Sequence, residues 1–194
     1  MKLNIRLIEV SRLPATKRSV MPSEILQWPR SSTPPEAVTE PLAEGIDPEN
    51  FTPRLISLLS NVLVWRESHE MRRHFRLGTN DWRVISALAI RPGASASEVS
   101  DFLVLNKAVI SKSVNILSER GLVLLTDGPR GSRPMYLTQA GAEMHNAMLP
   151  ISMRGQEIIL ANLSDDDISR LNDLLRRMLE QVRQLQTVEN DVQV

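Results

Sequence analysis

Apolar residues recur at helical spacing over residues 51–186, and the phase of the pattern resets at glycines, prolines and capping residues. The clearest stretch is Ser95–Val123. Ser95 stands three residues before Glu98, the arrangement of a capping box, and Val99, Phe102 and Leu103 give the short helix behind it one apolar face. Val104, Leu105 and Asn106 make a turn, with Asn106 placed to cap a second helix whose stripe is Ile110, Val114 and Leu117. Gly121 ends that helix where positive φ is needed, and Leu122 folds back onto the last turn. Lys107, Ser111, Lys112, Asn115 and Ser118 fall off the stripe, toward solvent or a partner. Two short helices presenting Lys, Ser and Asn suit insertion into a DNA major groove.

Upstream, a helix is expected from Pro53 to Phe75. Its apolar stripe (Leu55, Leu58, Leu59, Val62, Leu63, Trp65, Met71, Phe75) is broad enough to be buried on two sides. Gly78 is read as its stop and Thr79 as the cap of a helix over Asn80–Ile90, which Pro92-Gly93 ends. After Gly121 the period changes. Leu122–Thr126 and Met135–Thr138 are strand-like, and Asp127–Pro134 between them predicts a hairpin with a flexible basic tip, a wing. Arg130 and Arg133 at such a tip can reach the minor groove or its phosphates. Thr138 caps a long helix running to Leu163, with a kink or interruption expected at Pro150 and Gly155. Ser164 caps the last helix, where Ile168, Leu171, Leu175, Met178, Val182 and Leu185 form a short heptad seam. With Leu55, Leu58 and Leu59 of the first helix, that seam predicts a homodimer interface.

Residues 1–50 differ. Seven prolines and no periodicity argue for an extension, flexible or packed on a partner subunit, apart from the 51–194 unit. LNIRLIEV could pair as a short strand, and Arg12, Lys17 and Arg18 could reach DNA.

Composition narrows the function. In 194 residues there is no cysteine, which excludes disulfides, zinc–thiolate sites and thiol nucleophiles and suits a reducing cytoplasm. No apolar run reaches the roughly twenty residues of a membrane helix. The net charge is zero, but between Asn106 and Arg133 five cations stand against two acids, so the local field is positive. An enzyme finds no support. His69-Glu70-Met71-Arg72-Arg73-His74 looks like a zinc-protease motif, but histidines five positions apart, where the motif needs four, point about 140° away from each other on a helix. No nucleophile elbow or phosphate loop accompanies them, and neither cofactor nor metal is expected.

Asn80-Asp81-Trp82-Arg83-Val84-Ile85, Ser118-Glu119-Arg120-Gly121-Leu122-Val123 and Leu137-Thr138-Gln139-Ala140-Gly141, in this order around a wing, resemble the MarR family (multiple antibiotic resistance regulators) over about residues 51–186. The wing holds Asp127, Arg130 and Arg133, one residue longer than the family's D-x-R-D-x-R pattern and with Gly131 where Asp is usual. The resemblance implies a mostly α fold with a small β wing: a winged helix-turn-helix flanked by dimerisation helices. It implies a homodimeric repressor on a pseudo-palindromic double-stranded DNA operator. The DNA-binding candidates are Ser95, Ser97, Asn106, Lys107, Ser111, Lys112, Asn115, Arg130 and Arg133. It also implies a small effector, an aromatic or phenolic acid, in a crevice among Trp65, His69, Arg72, Trp82, Met144, His145 and Met148. A protein-interaction adaptor, or a regulator without a small ligand, is the alternative.

Overall fold

The computed structural model describes residue 34 and residues 36–191, except for the side chains of Arg130 and of residues 182–191. The strand and basic arm expected within residues 3–18 therefore lie outside the described residues, as do the side chains of Val182 and Leu185. Two units are separable, Met1–Ile46 and Asp47–Val194. The described part of the first is irregular and exposed.

The second unit opens on an Asx-type loop. Asp47 accepts from the Glu49 amide at 3.0 Å and the Asn50 side chain at 2.6 Å, and Arg54 donates to the Pro48 carbonyl at 2.7 Å. The bonds from the Asn50 side chain and then the Glu49 amide lower the Asp47 pKa. Six helices and a hairpin follow: α1 (Thr52–Phe75), α2 (Thr79–Ile90), α3 (Ala96–Leu103), α4 (Lys107–Glu119), β1 (Val123–Leu125), β2 (Met135–Leu137), α5 (Gln139–Leu160) and α6 (Asp165–Asp191). The fold is mostly α with a two-stranded antiparallel wing, Leu124 opposite Tyr136.

The core lies under α2, α3 and α4. Met71 of α1, Val84, Ile85 and Leu88 of α2, Val99 of α3, Ile110 and Leu117 of α4, Met135 of β2 and Met148 of α5 are at most 1% exposed. These positions recur at three- and four-residue spacing within their helices, which is why the pattern was readable. The α2–α3 loop also pairs with the wing, since Gly93 donates to the Met135 carbonyl and Met135 donates to the Ala94 carbonyl. Gly93 has φ +85°, and a Cβ there would sit 3.0 Å from the Tyr136 hydroxyl.

Four boundaries differ from expectation. Helix α1 ends at Phe75 as expected, but its stop is Arg76 and not Gly78: Arg76 takes the left-handed conformation at φ 53° and donates to the Arg72 carbonyl. Gly78 is instead the N-cap of α2, its amide held by Asp81 at 2.8 Å, and Thr79 is the first helical residue. Helix α5 runs unbroken through Pro150 and Gly155 and stops at Leu160. Gly155 is buried against α1, where an added Cβ would stand in ordinary contact with Leu63 at 3.5 Å. The wing tip is not featureless: Pro129–Gly131 forms a 3-10 turn, closed by Gly128 donating to Ser132 and Thr126 donating to Pro134.

Helix α1 also departs from double-sided burial. Met71 alone is fully buried, while Leu55, Leu58, Leu59 and Val62 remain 41–62% exposed. Its inner side is held to α5 by Arg66 donating to the Ile151 carbonyl and by a hydrogen bond from Ser152 to Glu67. Beside that seam, α1, α5 and α6 enclose an apolar cavity of about 820 Å³ that Leu59, Ile159, Leu171 and Met178 help to line.

Candidate nucleic-acid interface

Helix α3 starts as its sequence indicates. Glu98 accepts from the Ser95 amide at 2.8 Å and from its hydroxyl at 2.7 Å, while the Ser95 oxygen accepts from the Glu98 amide at 3.3 Å. Those bonds, led by the Ser95 amide, lower the Glu98 pKa. The turn into α4 is fixed by the Ser100 hydroxyl donating to the Leu105 carbonyl at 2.5 Å, with Val104 left-handed at φ 51°. Asn106 then caps α4, accepting from the Ala108 amide at 2.8 Å.

The far end of α4 is a Schellman motif. Leu122 donates to the Leu117 carbonyl at 2.9 Å and Gly121, at φ +68°, donates to Ser118 at 2.9 Å. Two long-range clamps hold this end. Arg120 donates to the Phe75 and Arg76 carbonyls at 3.1 and 3.3 Å, tying it to the end of α1. Thr138 donates from its hydroxyl to the Gly121 carbonyl at 2.7 Å and from its amide to Leu122, while its oxygen caps α5 by accepting from Gly141. A Cβ on Gly141 would lie 2.0 Å from the Leu122 carbonyl oxygen, so α5 begins flush against the helix end.

With Ile110, Ser113, Val114 and Leu117 buried, α4 turns Lys107, Ala108, Ser111, Lys112 and Asn115 outward. Ser118, expected outside, is half-buried. On the wing flank a cleft of about 310 Å³ gathers Ser95, Ser97, Ser111, Asn115 and Arg133. Five of the nine DNA-binding candidates, separated by up to 38 positions in the chain, thus share one concavity. The Ser95 hydroxyl is committed to its cap and the Asn106 carbonyl oxygen to Ala108, which leaves Ser97 and the Asn106 amide group for other partners. Lys107 and Lys112 are exposed outside the cleft. Arg130 lies in the tip turn, its side chain outside the described set.

The seven ligand candidates are not brought together. Trp65, His69 and Arg72 share one face of α1, turned away from α5, and Trp65 is 73% exposed and stacked on His69 at 5.9 Å. Trp82 is 6% exposed and stacks on His145 at 5.3 Å, Met148 is wholly buried in the core and Met144 packs against it. Trp82 also lines the 820 Å³ cavity, beside Arg66, Glu67 and Arg83, which sequence spacing had not singled out. Arg72 lines a different concavity, under the recognition helix.

Comparison with known proteins places these elements. The MarR family profile matches residues 77–134, from the cap of α2 through the wing tip. A MarR/EmrR family transcriptional regulator from Acinetobacter sp. ADP1 is 25% identical and superposes with a TM-score of 0.66, covering 72% of this chain and 99% of that one. The PcaV transcriptional regulator from Streptomyces coelicolor, solved in complex with its natural ligand, shares the fold at 22% identity and a TM-score of 0.60, over 71% of this chain and 97% of its own. A MarR protein from Peptoclostridium difficile DA00132 shares it at 19% identity and a TM-score of 0.66, over 75% and 95%. No curated protein matches the chain in sequence. The profile lies on α2 to the wing tip, and the order of helices around it is the one these structures share, so the chain is similar to the winged helix-turn-helix transcriptional regulators of the MarR family.

Proposed function

We propose that this regulator is a homodimeric repressor that reads a pseudo-palindromic operator with α4 and is released from it by a small aromatic or phenolic acid. The observation that carries the DNA reading is the cleft joining Ser97, Ser111 and Asn115 to Arg133. A helix seated in the major groove would set Asn115 and Ser111 against base edges while Arg133 reaches the adjoining backbone. Lys107, Lys112 and Arg130 add phosphate contacts in the same reading, with Ser95 and Asn106 at the helix starts. Selection from a random duplex library should return an inverted repeat with half-sites about one helical turn, roughly 34 Å, apart. Enrichment of no sequence at all would overturn it.

Dimerisation is supported by the unpartnered apolar faces. Leu55 and Leu59 of α1 and Leu171, Leu175 and Met178 of α6 are 37–54% exposed around one apolar cavity, and Leu58 is 45% exposed on α1 outside its lining. A patch of that extent is costly to leave in water, and a second copy, with Val182 and Leu185 continuing the seam, covers it symmetrically. The effector reading rests on that cavity too: an apolar wall with Trp82, Arg66 and Arg83 suits a flat carboxylate. PcaV, which shares the fold, was solved with a natural ligand. A thermal-shift screen with aromatic acids should find one that both stabilises the protein and lowers DNA affinity. Stabilisation without loss of DNA binding would remove the release step from this scheme.

A further inference from the structure

The recognition helix has two flanks, and only the wing flank enters the reading above. On the other flank Val109, Lys112, Ser113 and Ile116 of α4 face the end of α1 and the start of α2 across a concavity of about 510 Å³, into which Arg72 and Arg76 are set. Among the described residues neither guanidinium has a salt-bridge partner. Asp81, also in the lining, is 8% exposed and already accepts from the Gly78 amide, so it does not neutralise them in the open part of the hollow.

Arg76 is also held in a conformation that side chains rarely adopt, at φ 53°. A glycine would close α1 there without strain, yet the chain carries a long cation. Its position relative to the recognition helix is fixed, because Arg120 at the end of α4 donates to the Arg76 carbonyl. A cation kept at a strained position and anchored to the reading helix points to work done by the side chain.

We propose that Arg72 and Arg76 form a second phosphate-binding ridge, gripping the DNA strand on the wall of the major groove opposite the wing. The inference rests on α4 entering that groove. Given this, the geometry is simple. The groove is about 12 Å wide and bounded by two phosphate strands, so a helix within it has one strand on each flank. Arg133 serves the wing flank; Arg72 and Arg76 serve the other, with Lys112 between them and the groove floor. These contacts carry no base preference and set the register in which Asn115 and Ser111 meet the bases.

The test uses the full chain and a fluorescent mixed-sequence duplex of about 30 base pairs, long enough for two half-sites one turn apart, titrated over a range of KCl. Arg72→Ala and Arg76→Gly should each flatten the log-affinity versus log-salt slope by about 0.9, which is roughly a fivefold to tenfold loss near 0.1 M salt. Arg76→Gly should meanwhile hold or raise the melting temperature, since glycine relieves the left-handed strain; a residue needed only for folding would not separate the two readouts. An unchanged slope in the double variant, while an Arg133→Ala control flattens it, overturns the ridge and leaves the wing-side docking standing. If Arg133→Ala leaves the slope unchanged as well, the docking of α4 falls and the ridge falls with it. Inorganic phosphate is the second probe. If it raises the melting temperature of the native chain but not of the double variant, and the DNA slope is unaltered, the hollow holds a free anion and the DNA assignment is overturned.

Discussion

Single residues decide how closely the parts of this molecule can approach. Gly141 leaves no space for a methyl group, because the Leu122 carbonyl oxygen lies 2.0 Å from where a Cβ would stand. Gly141→Ala must therefore push α5 off the end of α4, and it should cost upward of about 2 kcal/mol in chemical denaturation. A variant as stable as the native protein would show that the junction yields. Asn115 and Arg133 line one cleft but should behave differently. Asn115→Ala should lose about 1–3 kcal/mol on the selected operator and little on unrelated duplex, whereas Arg133→Ala should weaken both and flatten the salt dependence. Equal losses for Asn115→Ala on the two duplexes would place it on the backbone. Much at this scale was legible. Ser95, Asn106, Thr138 and Ser164 announced their caps because a short polar side chain before an apolar period has few other uses. Arg76 was not legible, since an arginine gives no sign of a left-handed conformation and the neighbouring Gly78 offers itself as the stop. Arg120 was hidden for another reason: its acceptors, Phe75 and Arg76, lie 45 and 44 positions away.

At the scale of elements, the helix-turn-helix has short helices, one of eight residues and one of thirteen, so its bonded ends add to the hold of the buried Val99, Ile110 and Leu117. Its start is the one end that titrates. The Ser95 amide and hydroxyl hold the Glu98 carboxylate below its ordinary pKa. Because folding lowers that pKa, the stabilisation is complete above the usual glutamate value, about 4.3, and is lost as pH falls through the lower folded value. Proton-detected titration should find Glu98 below the unfolded reference, and Glu98→Gln should flatten the acid limb of the unfolding curve. An ordinary pKa at Glu98 would mean the box is open in solution. Periodicity revealed which face of α2, α4 and α6 is apolar, and so the order of elements could be read. It did not reveal which neighbour meets which face of α1. Trp65 and His69 have the composition of a ligand wall, but their face turns away from α5, so Trp65, His69 and Arg72 are parted from Trp82, Met144, His145 and Met148, which gather at the core.

For the whole molecule, the decisive fact is how much apolar surface α1, α5 and α6 leave uncovered. Leu171 and Leu175 are each 37% exposed although the heptad spacing puts them on the seam. If the dimer proposed above forms through this face, Leu171→Glu with Leu175→Glu should give a monomer in light scattering and abolish tight operator binding, because two half-sites then bind without linkage. A doubly substituted protein that stays dimeric would relocate the interface. The cores of α2 to α4 should be unaffected, since none of their buried residues lies on α6.

The seat of α5 on α4 has a further consequence. Thr138 bonds Gly121 and Leu122 at once, Gly141 leaves no clearance, and only Thr138 separates the wing strand β2 from α5. There is no slack at this joint, so the reading head cannot tilt independently of the long helix behind it. In the effector response proposed above, a signal arriving along α5 would be delivered as lever motion, and a tilt of a few degrees over its twenty-two residues would move the tip of the reading head by about an ångström or two. The protein would then be silenced by misalignment, with every contact residue still intact and still folded.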